Sequence, residues 1–145
     1  MIALIQRVSR AAVVVEDREV ARIDRGILAL IGIETGDTDQ TASELLGRIL
    51  RYRIFADEAG KMNLNIGQID GKLLLVPQFT LVADTHKGMR PGFSRAAPPE
   101  VAQRLFEQLV STAAARHGGV ASGAFGAHML VELVNDGPVT FWMRS

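Results

Sequence analysis

The chain has no cysteine, few aromatic residues and no excess of charge of either sign. Aromatic residues make up 6% of its 145 residues, and 16 lysines and arginines balance 16 aspartates and glutamates. The absence of cysteine excludes disulfides, thiolate metal sites and cysteine nucleophiles. The balanced charge excludes a global positive field that would hold the protein on long nucleic acid, so any nucleic-acid contact has to be local.

Long hydrophobic runs and targeting signals are missing as well. No apolar run approaches the roughly 20 residues of a membrane span, and residues 1–7 lack the basic start and apolar centre of a signal peptide. We therefore expect a cytoplasmic protein that does not contact a membrane. The length and the 48% apolar content indicate one domain, residues 1–145, with a substantial core.

Familiar catalytic motifs do not occur in this sequence. There is no G-x-S-x-G, no phosphate-binding G-x-x-x-x-G-K-[ST] loop, no G-x-G-x-x-G after a strand and no H-E-x-x-H. His86, His117 and His128 are scattered, which favours loop or surface histidines over a metal site. We expect neither a metal nor a cofactor, and an enzymatic reaction that needs little intrinsic nucleophile power.

The apolar pattern predicts a sheet. Residues 2–8 and 11–16 are expected to form a strand followed by a hairpin to residues 20–23. The continuous apolar runs 27–33 and 72–76 predict buried strands, the first of them in the middle of the sheet. Residues 61–66, between two turn clusters, and residues 129–134 are further strand candidates.

Two amphipathic helices are predicted. The first begins at residues 37–40, with the acceptor side chain of Asp37 at the cap and Gln40 three residues later. Its arginines, with Arg53, are a candidate phosphate patch, although a solvated helix face is the commoner explanation. The second opens at residues 98–100 and ends at Gly118. The predicted apolar faces contain Ala42, Leu45, Leu46, Ile49 and Leu50 in the first helix, and Val101, Ala102, Leu105, Phe106, Leu109 and Val110 in the second.

A long basic loop is predicted at residues 84–99, because three prolines and two glycines interrupt any regular pattern there. The loop carries His86, Lys87, Arg90 and Arg95. Long loops in small domains are often functional, so these residues are candidates for contacts with an anionic partner.

A Gly-Pro pair interrupts the last apolar segment, residues 134–142 (VNDGPVTFW). Asn-Asp-Gly-Pro is strong turn chemistry, and the local sequence favours a hairpin turn. Proline also lacks a backbone N–H, and an X-Pro bond is the one peptide for which the cis form is cheap. Gly137-Pro138 is therefore also a candidate binding device that holds carbonyls in directions an ordinary strand cannot.

Residues 77–81 (PQFTL) follow a buried-type strand directly. A proline at this point forfeits a ladder hydrogen bond, so we expect the strand to leave the sheet, bulge or lie at an edge. Gln78 and Thr80 then supply an amide and a hydroxyl that suit the cleavage of an already activated acyl bond. Composition alone favours a plain strand end with Phe79 and Leu81 in the core.

Together, residues 77–81 and 135–140 (NDGPVT) closely resemble the two signature motifs of the D-aminoacyl-tRNA deacylases. Residues 1–8, 52–55, 60–65 and 88–91 are similar to the same family, so the resemblance spans essentially the whole chain. It implies an α+β fold with a curved, barrel-like, mostly antiparallel sheet, and a homodimer. It also implies hydrolysis of the ester that joins a D-amino acid, or to some extent glycine, to tRNA, whose aminoacylated acceptor end is the expected partner.

The resemblance implies specific roles for both motifs. Gly137 and Pro138 would form a cis peptide that enters the partner's active site, where it rejects L-aminoacyl esters. Gln78, Phe79 and Thr80 would line the same pocket, with N–H groups of Phe79 and Thr80 stabilising the oxyanion. An isolated threonine is a poor nucleophile, so Thr80 is assigned to positioning first, and the 2′-hydroxyl of the tRNA would assist hydrolysis.

Three further residues match family positions. Arg7 would orient the Gly-Pro peptide by donating to a carbonyl, and a surface charge on an edge strand is the alternative. Phe125 and Met129 would accommodate the terminal adenosine, although the sequence alone favours core positions for both.

Pro77 departs from the family pattern, in which serine is usual, so a hydroxyl and an N–H are both lost. Gly92 also stands where serine is common. These departures leave open an alternative function, a non-catalytic nucleic-acid-binding or interaction module that retains the fold. A general esterase is a third hypothesis.

Overall fold

The computed structural model describes residues 1–86 and 88–145. The strands are β1 (Ile2–Val15), β2 (Arg18–Ile23), β3 (Gly26–Gly32), β4 (Phe55–Ala56), β5 (Met62–Leu64), β6 (Lys72–Pro77), β7 (Val120–Ser122) and β8 (Leu130–Arg144). The α-helices are α1 (Asp39–Arg51) and α2 (Pro99–Arg116). Short 3-10 helices cover Gly67–Ile69 and Phe79–Val82.

The main sheet is organised around β1. Strand β1 pairs antiparallel with β2 and β3 and also with β8, while β3 pairs parallel with β6, and β6 parallel with β7. The sheet curves until β2 packs near β6, since Ala21 and Ile23 share a core cluster with Leu74 and Val76. The predicted α+β fold with a barrel-like, mostly antiparallel sheet and two main helices is confirmed.

Strand β1 is longer than the sequence pattern suggests. Ser9 and Arg10 do not separate two runs, because the strand continues to Val15 and its pairing with β8 shifts register around Val8. The predicted hairpin follows at once. Glu16 and Asp17 both have positive φ, at 48° and 59°, which is the geometry of a tight two-residue turn.

Two hydrophobic cores lie on opposite faces of the central strands. One core packs α1 and α2 against residues such as Ile27, Ile31 and Leu73, and the other fills the barrel with residues such as Leu28 and Leu74. Strands β3 and β6 are therefore buried on both faces, as their continuous apolar runs predicted.

The cap of α1 differs from the prediction. Thr38, not Asp37, is the N-cap, and the side chains of Thr38 and Thr41 form a reciprocal capping box. The Asp37 carboxylate instead accepts the N–H of Glu34 (2.7 Å) and the Met1 ammonium (2.5 Å). The local pattern alone does not distinguish these roles, because the partners of Asp37 come from outside the helix.

The predicted apolar faces of the helices are largely buried. Ala42, Leu45, Leu46 and Ile49 of α1 and Leu105, Phe106 and Leu109 of α2 lie in the core. Val101 is an exception, since it is exposed at the start of α2. Among residues 1–86 and 88–145, no helix combines the length and the apolar character that a membrane crossing requires.

Candidate active site

The 78–80 turn begins where β6 leaves the sheet. Strand β6 ends at Pro77, beyond its last pairing with β7, and the N–H of Gln78 donates to the carbonyl of Ile31 (2.7 Å). A 3-10 helix follows, in which the N–H of Leu81 donates to the Gln78 carbonyl (3.2 Å). The expectation that Pro77 marks an exit from the sheet is confirmed.

The turn presents a compact set of polar groups. The side-chain amide of Gln78 donates to the hydroxyl of Thr80. In the described part of the chain, the N–H groups of Phe79 and Thr80 donate to no other protein group, because the first amides of a helix have no partner within it. The turn therefore offers two backbone donors beside a linked amide and hydroxyl.

Phe79 points away from the core. Its side chain is 62% exposed and packs against Phe93 of the 84–99 loop, with ring centroids 5.1 Å apart. The composition-based expectation that Phe79 and Leu81 belong to the core is wrong for Phe79, and Leu81 is only half-buried. Val82 is the apolar residue that the 3-10 helix buries.

The Gly137-Pro138 pair is not a hairpin turn. Strand β8 runs through it, and its pairing with β1 jumps from Asn135 opposite Val8 to Thr140 opposite Gln6. The intervening residues bulge from the sheet, and both Gly137 and Pro138 are exposed. The peptide bond between them is cis. The turn expected from local sequence is wrong because tertiary contacts hold this segment as a bulge.

Arg7 is one of the side chains that hold the bulge. Its Nε donates to the carbonyl of Asp136 (2.8 Å), and its Nη1 donates to the carbonyl of Ile54 (2.7 Å). The side chain is 15% exposed, and β1 is the most extensively paired strand of the sheet. The alternative of a surface charge on an edge strand is therefore wrong.

Asn135 also holds the bulge, and the sequence alone does not predict this role. Its Oδ1 accepts the N–H of Val139 (2.7 Å), and its Nδ2 donates to the hydroxyl of Thr140 (3.0 Å), to which Gln6 also donates (3.3 Å). The side chain thus spans the base of the bulge. Its position before Asp-Gly-Pro was the only local signal, and that signal also fits a turn.

The two motifs are far apart within one chain. Gln78 is bonded to Ile31 on β3, which is in register with Ala3 on β1, whereas the bulge of β8 lies opposite Arg7. The path between the two motifs crosses three strand spacings of about 4.8 Å and runs along the strand for four residues of about 3.3 Å each. Together these distances give a separation on the order of 20 Å over the sheet. One chain alone does not bring the motifs together.

Phe125 and Met129 lie in the segment between β7 and β8, and each is half-buried. Phe125 packs near Phe106 of the helix-side core, with ring centroids 6.4 Å apart, whereas Met129 packs against the barrel core. A Cβ on Gly123 would lie 2.9 Å from the Met129 sulfur and 3.5 Å from Pro77 Cδ. This segment therefore adjoins the 78–80 turn, and neither side chain is fully buried.

The remaining candidates are dispersed. Lys87 of the basic loop lies outside the described residues, and His86, Arg90 and Arg95 are exposed. Arg48 of α1 donates to the carbonyl of Arg144 (2.5 Å), so this arginine holds the end of β8. Among residues 1–86 and 88–145, no three histidine or carboxylate side chains are grouped to hold a metal ion.

Fold and site together define the class of the chain. It is an α+β protein with a barrel-like sheet, an exposed 78–80 turn and an exposed Gly-Pro bulge. A sequence model described as D-Tyr-tRNA(Tyr) deacylase matches residues 4–144. The chain belongs to this family of deacylases, and both the predicted family and the predicted enzyme class are confirmed.

Two curated relatives are similar over nearly their full length. The D-aminoacyl-tRNA deacylase of Xanthomonas oryzae pv. oryzae (strain MAFF 311018) is 60% identical over 145 residues, which cover 99% of this chain and 99% of the relative. The D-aminoacyl-tRNA deacylase of Thioalkalivibrio sulfidiphilus (strain HL-EbGR7) is 61% identical over 144 residues, which cover 99% of this chain and 97% of the relative.

Two solved structures share the fold. One, described as a c-Myc DNA unwinding element binding protein, has a TM-score of 0.95 and 36% identity, and the match covers 100% of this chain and 99% of the other. A probable eukaryotic D-amino acid tRNA deacylase has a TM-score of 0.83 at 18% identity, and the match covers 98% of this chain and 97% of the other.

Proposed function

We propose that the chain, as one domain over residues 1–145, hydrolyses the ester bond of D-aminoacyl-tRNA in the cytoplasm. The observation that carries this proposal is the 78–80 turn, where two amides without a partner among the described residues lie beside the linked side chains of Gln78 and Thr80. Amides aimed at the carbonyl oxygen of an ester stabilise the negative charge that develops on that oxygen during hydrolysis.

Thr80 positions the substrate and does not attack it. Its hydroxyl accepts a hydrogen bond from Gln78, and in the described part of the chain no histidine or carboxylate is bonded to it as a base. A hydroxyl without a base is a weak nucleophile. The 2′-hydroxyl of the terminal ribose, adjacent to the ester, supplies the assistance that the protein does not.

The Gly137-Pro138 bulge provides the chiral selection. It is exposed backbone held from beneath by Arg7 and Asn135, so it is a rigid wall and not a flexible loop. Against the α-carbon of the substrate, this wall clashes with the side chain of an L-amino acid, whereas a D-amino acid directs its side chain away. Glycine has no side chain, so slow hydrolysis of glycyl-tRNA follows from the same geometry.

The wall reaches the 78–80 turn in a homodimer. Because the two motifs lie on the order of 20 Å apart over the sheet of one chain, a site that contains both is completed by a second copy. Phe125 and Met129, which adjoin the turn, then accommodate the terminal adenosine through an aromatic face and an adaptable thioether.

The first test compares D-tyrosyl-tRNA with L-tyrosyl-tRNA. The protein should deacylate the D-ester and leave the L-ester intact, as followed by release of the labelled amino acid. Equal rates on both esters, or no hydrolysis of the D-ester, would contradict the proposal. Gln78→Ala should lower kcat/KM on the D-ester about 100-fold, because it removes the group that holds Thr80.

Gln108→Ala is a matched control for Gln78→Ala. Gln108 on α2 also lies beside a threonine hydroxyl, that of Thr112 at 3.4 Å, but it is remote from the 78–80 turn. This variant should retain full activity. A similar loss in both variants would show that the effect of Gln78→Ala is not local.

A nucleic-acid-binding module without catalysis is the second candidate. It is favoured by the 36%-identical structure described as a DNA unwinding element binding protein, and by Pro77 in place of the usual serine. The same variants separate the two functions. A binding module retains its RNA affinity in Gln78→Ala and has no turnover to lose, whereas the enzyme loses turnover.

A further inference from the structure

A polar cleft lies near the 78–80 turn. It contains two arginines, Arg95 and Arg144, that have no role in the proposed ester hydrolysis. The cleft has a volume of about 410 Å³ and lies where the segment after β3, the 93–96 segment and the end of β8 meet. The groups that matter for its chemistry are Glu34, Gly36, Ser94, Arg95 and Arg144.

One buried carboxylate orients both arginines. Glu34 is 7% exposed and accepts hydrogen bonds from Arg95 Nη2 (2.6 Å) and from Arg144 Nη2 and Nε (2.9 and 3.0 Å). The arginine side chains remain 50% and 49% exposed. A guanidinium has five N–H donors, so each arginine keeps donors for a ligand after binding Glu34.

The other groups of the cleft are consistent with an anionic ligand. In the described part of the chain, neither the N–H of Gly36 nor the hydroxyl of Ser94 donates to another protein group. The Asp37 carboxylate is already bonded to the Glu34 N–H and the Met1 ammonium. Arg95 and Arg144 share Glu34 and keep N–H donors beside the neutral donors of Gly36 and Ser94, and such a set of donors suits phosphate.

The cleft lies beside the candidate active site. Arg95 follows Phe93 by two residues, about 7 Å of chain at most, and the ring of Phe93 packs on Phe79 of the 78–80 turn. A polynucleotide whose terminal ester lies at the turn would therefore bring its nearest backbone phosphates close to Arg95.

We propose that this cleft binds a backbone phosphate at the 3′ end of the tRNA, with Arg95 and Arg144 as charged donors and Glu34 as the group that orients them. The inference rests on the proposed function, because the ester at the 78–80 turn determines where the polynucleotide lies. It accounts for tRNA contact by a chain with no net charge, since two half-exposed arginine side chains meet at one place.

The test compares two substrates with the same ester, D-tyrosyl-tRNA and the D-tyrosyl ester of adenosine, which has no phosphate. Arg95→Gln should lower kcat/KM about tenfold on the tRNA and less than twofold on the adenosine ester, because only the tRNA contacts the cleft. The slope of log kcat/KM against log salt concentration should become shallower by about 0.7, the value for one phosphate of a single strand.

Two additional variants keep the result interpretable. Ser94→Asp adds a negative charge at the rim without touching Glu34, so it should reproduce the selective loss even if Arg95→Gln unfolds. Arg22→Gln is the control, since Arg22 is also bonded to a glutamate, Glu19, but lies on β2. It should leave the rates on both substrates unchanged.

The outcomes separate this inference from the proposed function. If the wild-type chain hydrolyses neither D-ester, the proposed function fails and the phosphate site fails with it. If the wild type is active but Arg95→Gln and Ser94→Asp lower kcat/KM equally on both substrates, or on neither substrate, only the proposed phosphate site is contradicted. A changed oligomeric state in Arg95→Gln, measured by sedimentation, would instead assign the cleft to a subunit contact.

Discussion

Gly137 has a backbone conformation that no other residue adopts without strain. Its φ is +147°, and a Cβ at this position would lie 2.6 Å from Val139 Cγ2 and 2.9 Å from the Val139 nitrogen. The Val139 nitrogen donates to Asn135, so the neighbouring backbone cannot move aside without breaking that bond. The absence of a side chain at Gly137 is thus a requirement of the bulge itself.

Gly137→Ala should therefore deform the bulge and reduce activity on the D-ester by tenfold or more, at a cost in stability of about 1–3 kcal/mol. Gly60→Ala is the matched control. Gly60 also has positive φ, +74°, but nothing lies within 4 Å of its Cβ position, so an added methyl group meets no neighbour. The Gly60→Ala variant should lose about 1 kcal/mol of stability and keep its activity. Equal activity of the two folded variants, measured as kcat/KM, would contradict the proposed role of the bulge.

At the scale of elements, Glu34 connects segments that are far apart in sequence. Its carboxylate binds Arg95 of the 84–99 loop and Arg144 at the end of β8, while Arg48 of α1 holds the Arg144 carbonyl. The carboxylate is buried and the arginines are half-exposed. The hydrogen bonds from both arginines compensate the free-energy cost of removing the Glu34 carboxylate from water. They also tie the basic loop to the sheet.

Glu34→Gln should lower the free energy of unfolding by about 2 kcal/mol, which is below the value for a fully buried pair because the arginines are partly hydrated. Urea unfolding at one fixed protein concentration measures this loss. Glu19→Gln removes the partner of Arg22 on the exposed hairpin, and its effect on the midpoint should be far smaller. Equal shifts of the urea midpoint in Glu34→Gln and Glu19→Gln would show that burial does not strengthen the ion pairs of Glu34.

At the scale of the whole molecule, the two parts of the proposed site lie apart on the sheet of one chain. The 78–80 turn lies at the end of β6, the Gly137-Pro138 bulge lies in β8, and β3 and β1 stand between them. A dimer that brings the bulge of one subunit to the turn of the other contains two complete sites. Each site then depends on residues from both chains.

Mixing two inactive variants tests this arrangement. When Gln78→Ala and Gly137→Ala chains are unfolded and refolded together in equal amounts, half of the dimers are mixed and each mixed dimer has one intact site, so about a quarter of the wild-type activity should return. Gln78→Ala mixed with Thr80→Val is the control, because both changes affect the same part of the site and no intact site forms. No recovery in the first mixture would exclude a shared site.

The sequence by itself determined the family, the buried strands β3 and β6, the presence of both helices and the exit from the sheet at Pro77. These features depend on residue identity and on periodicity over a few neighbours, which the chain displays directly. The apolar runs of β3 and β6, for example, are continuous because both faces of these strands are covered.

Only the tertiary structure decided how the site is presented. Asn-Asp-Gly-Pro is a bulge and not a turn because Arg7, more than a hundred residues earlier, binds the Asp136 carbonyl. Phe79 lies at the surface and packs on Phe93 of the basic loop, and Asp37 does not cap α1 because Glu34 and Met1 bind it. In each case local propensity allows more than one conformation, and contacts from outside the local motif select one of them.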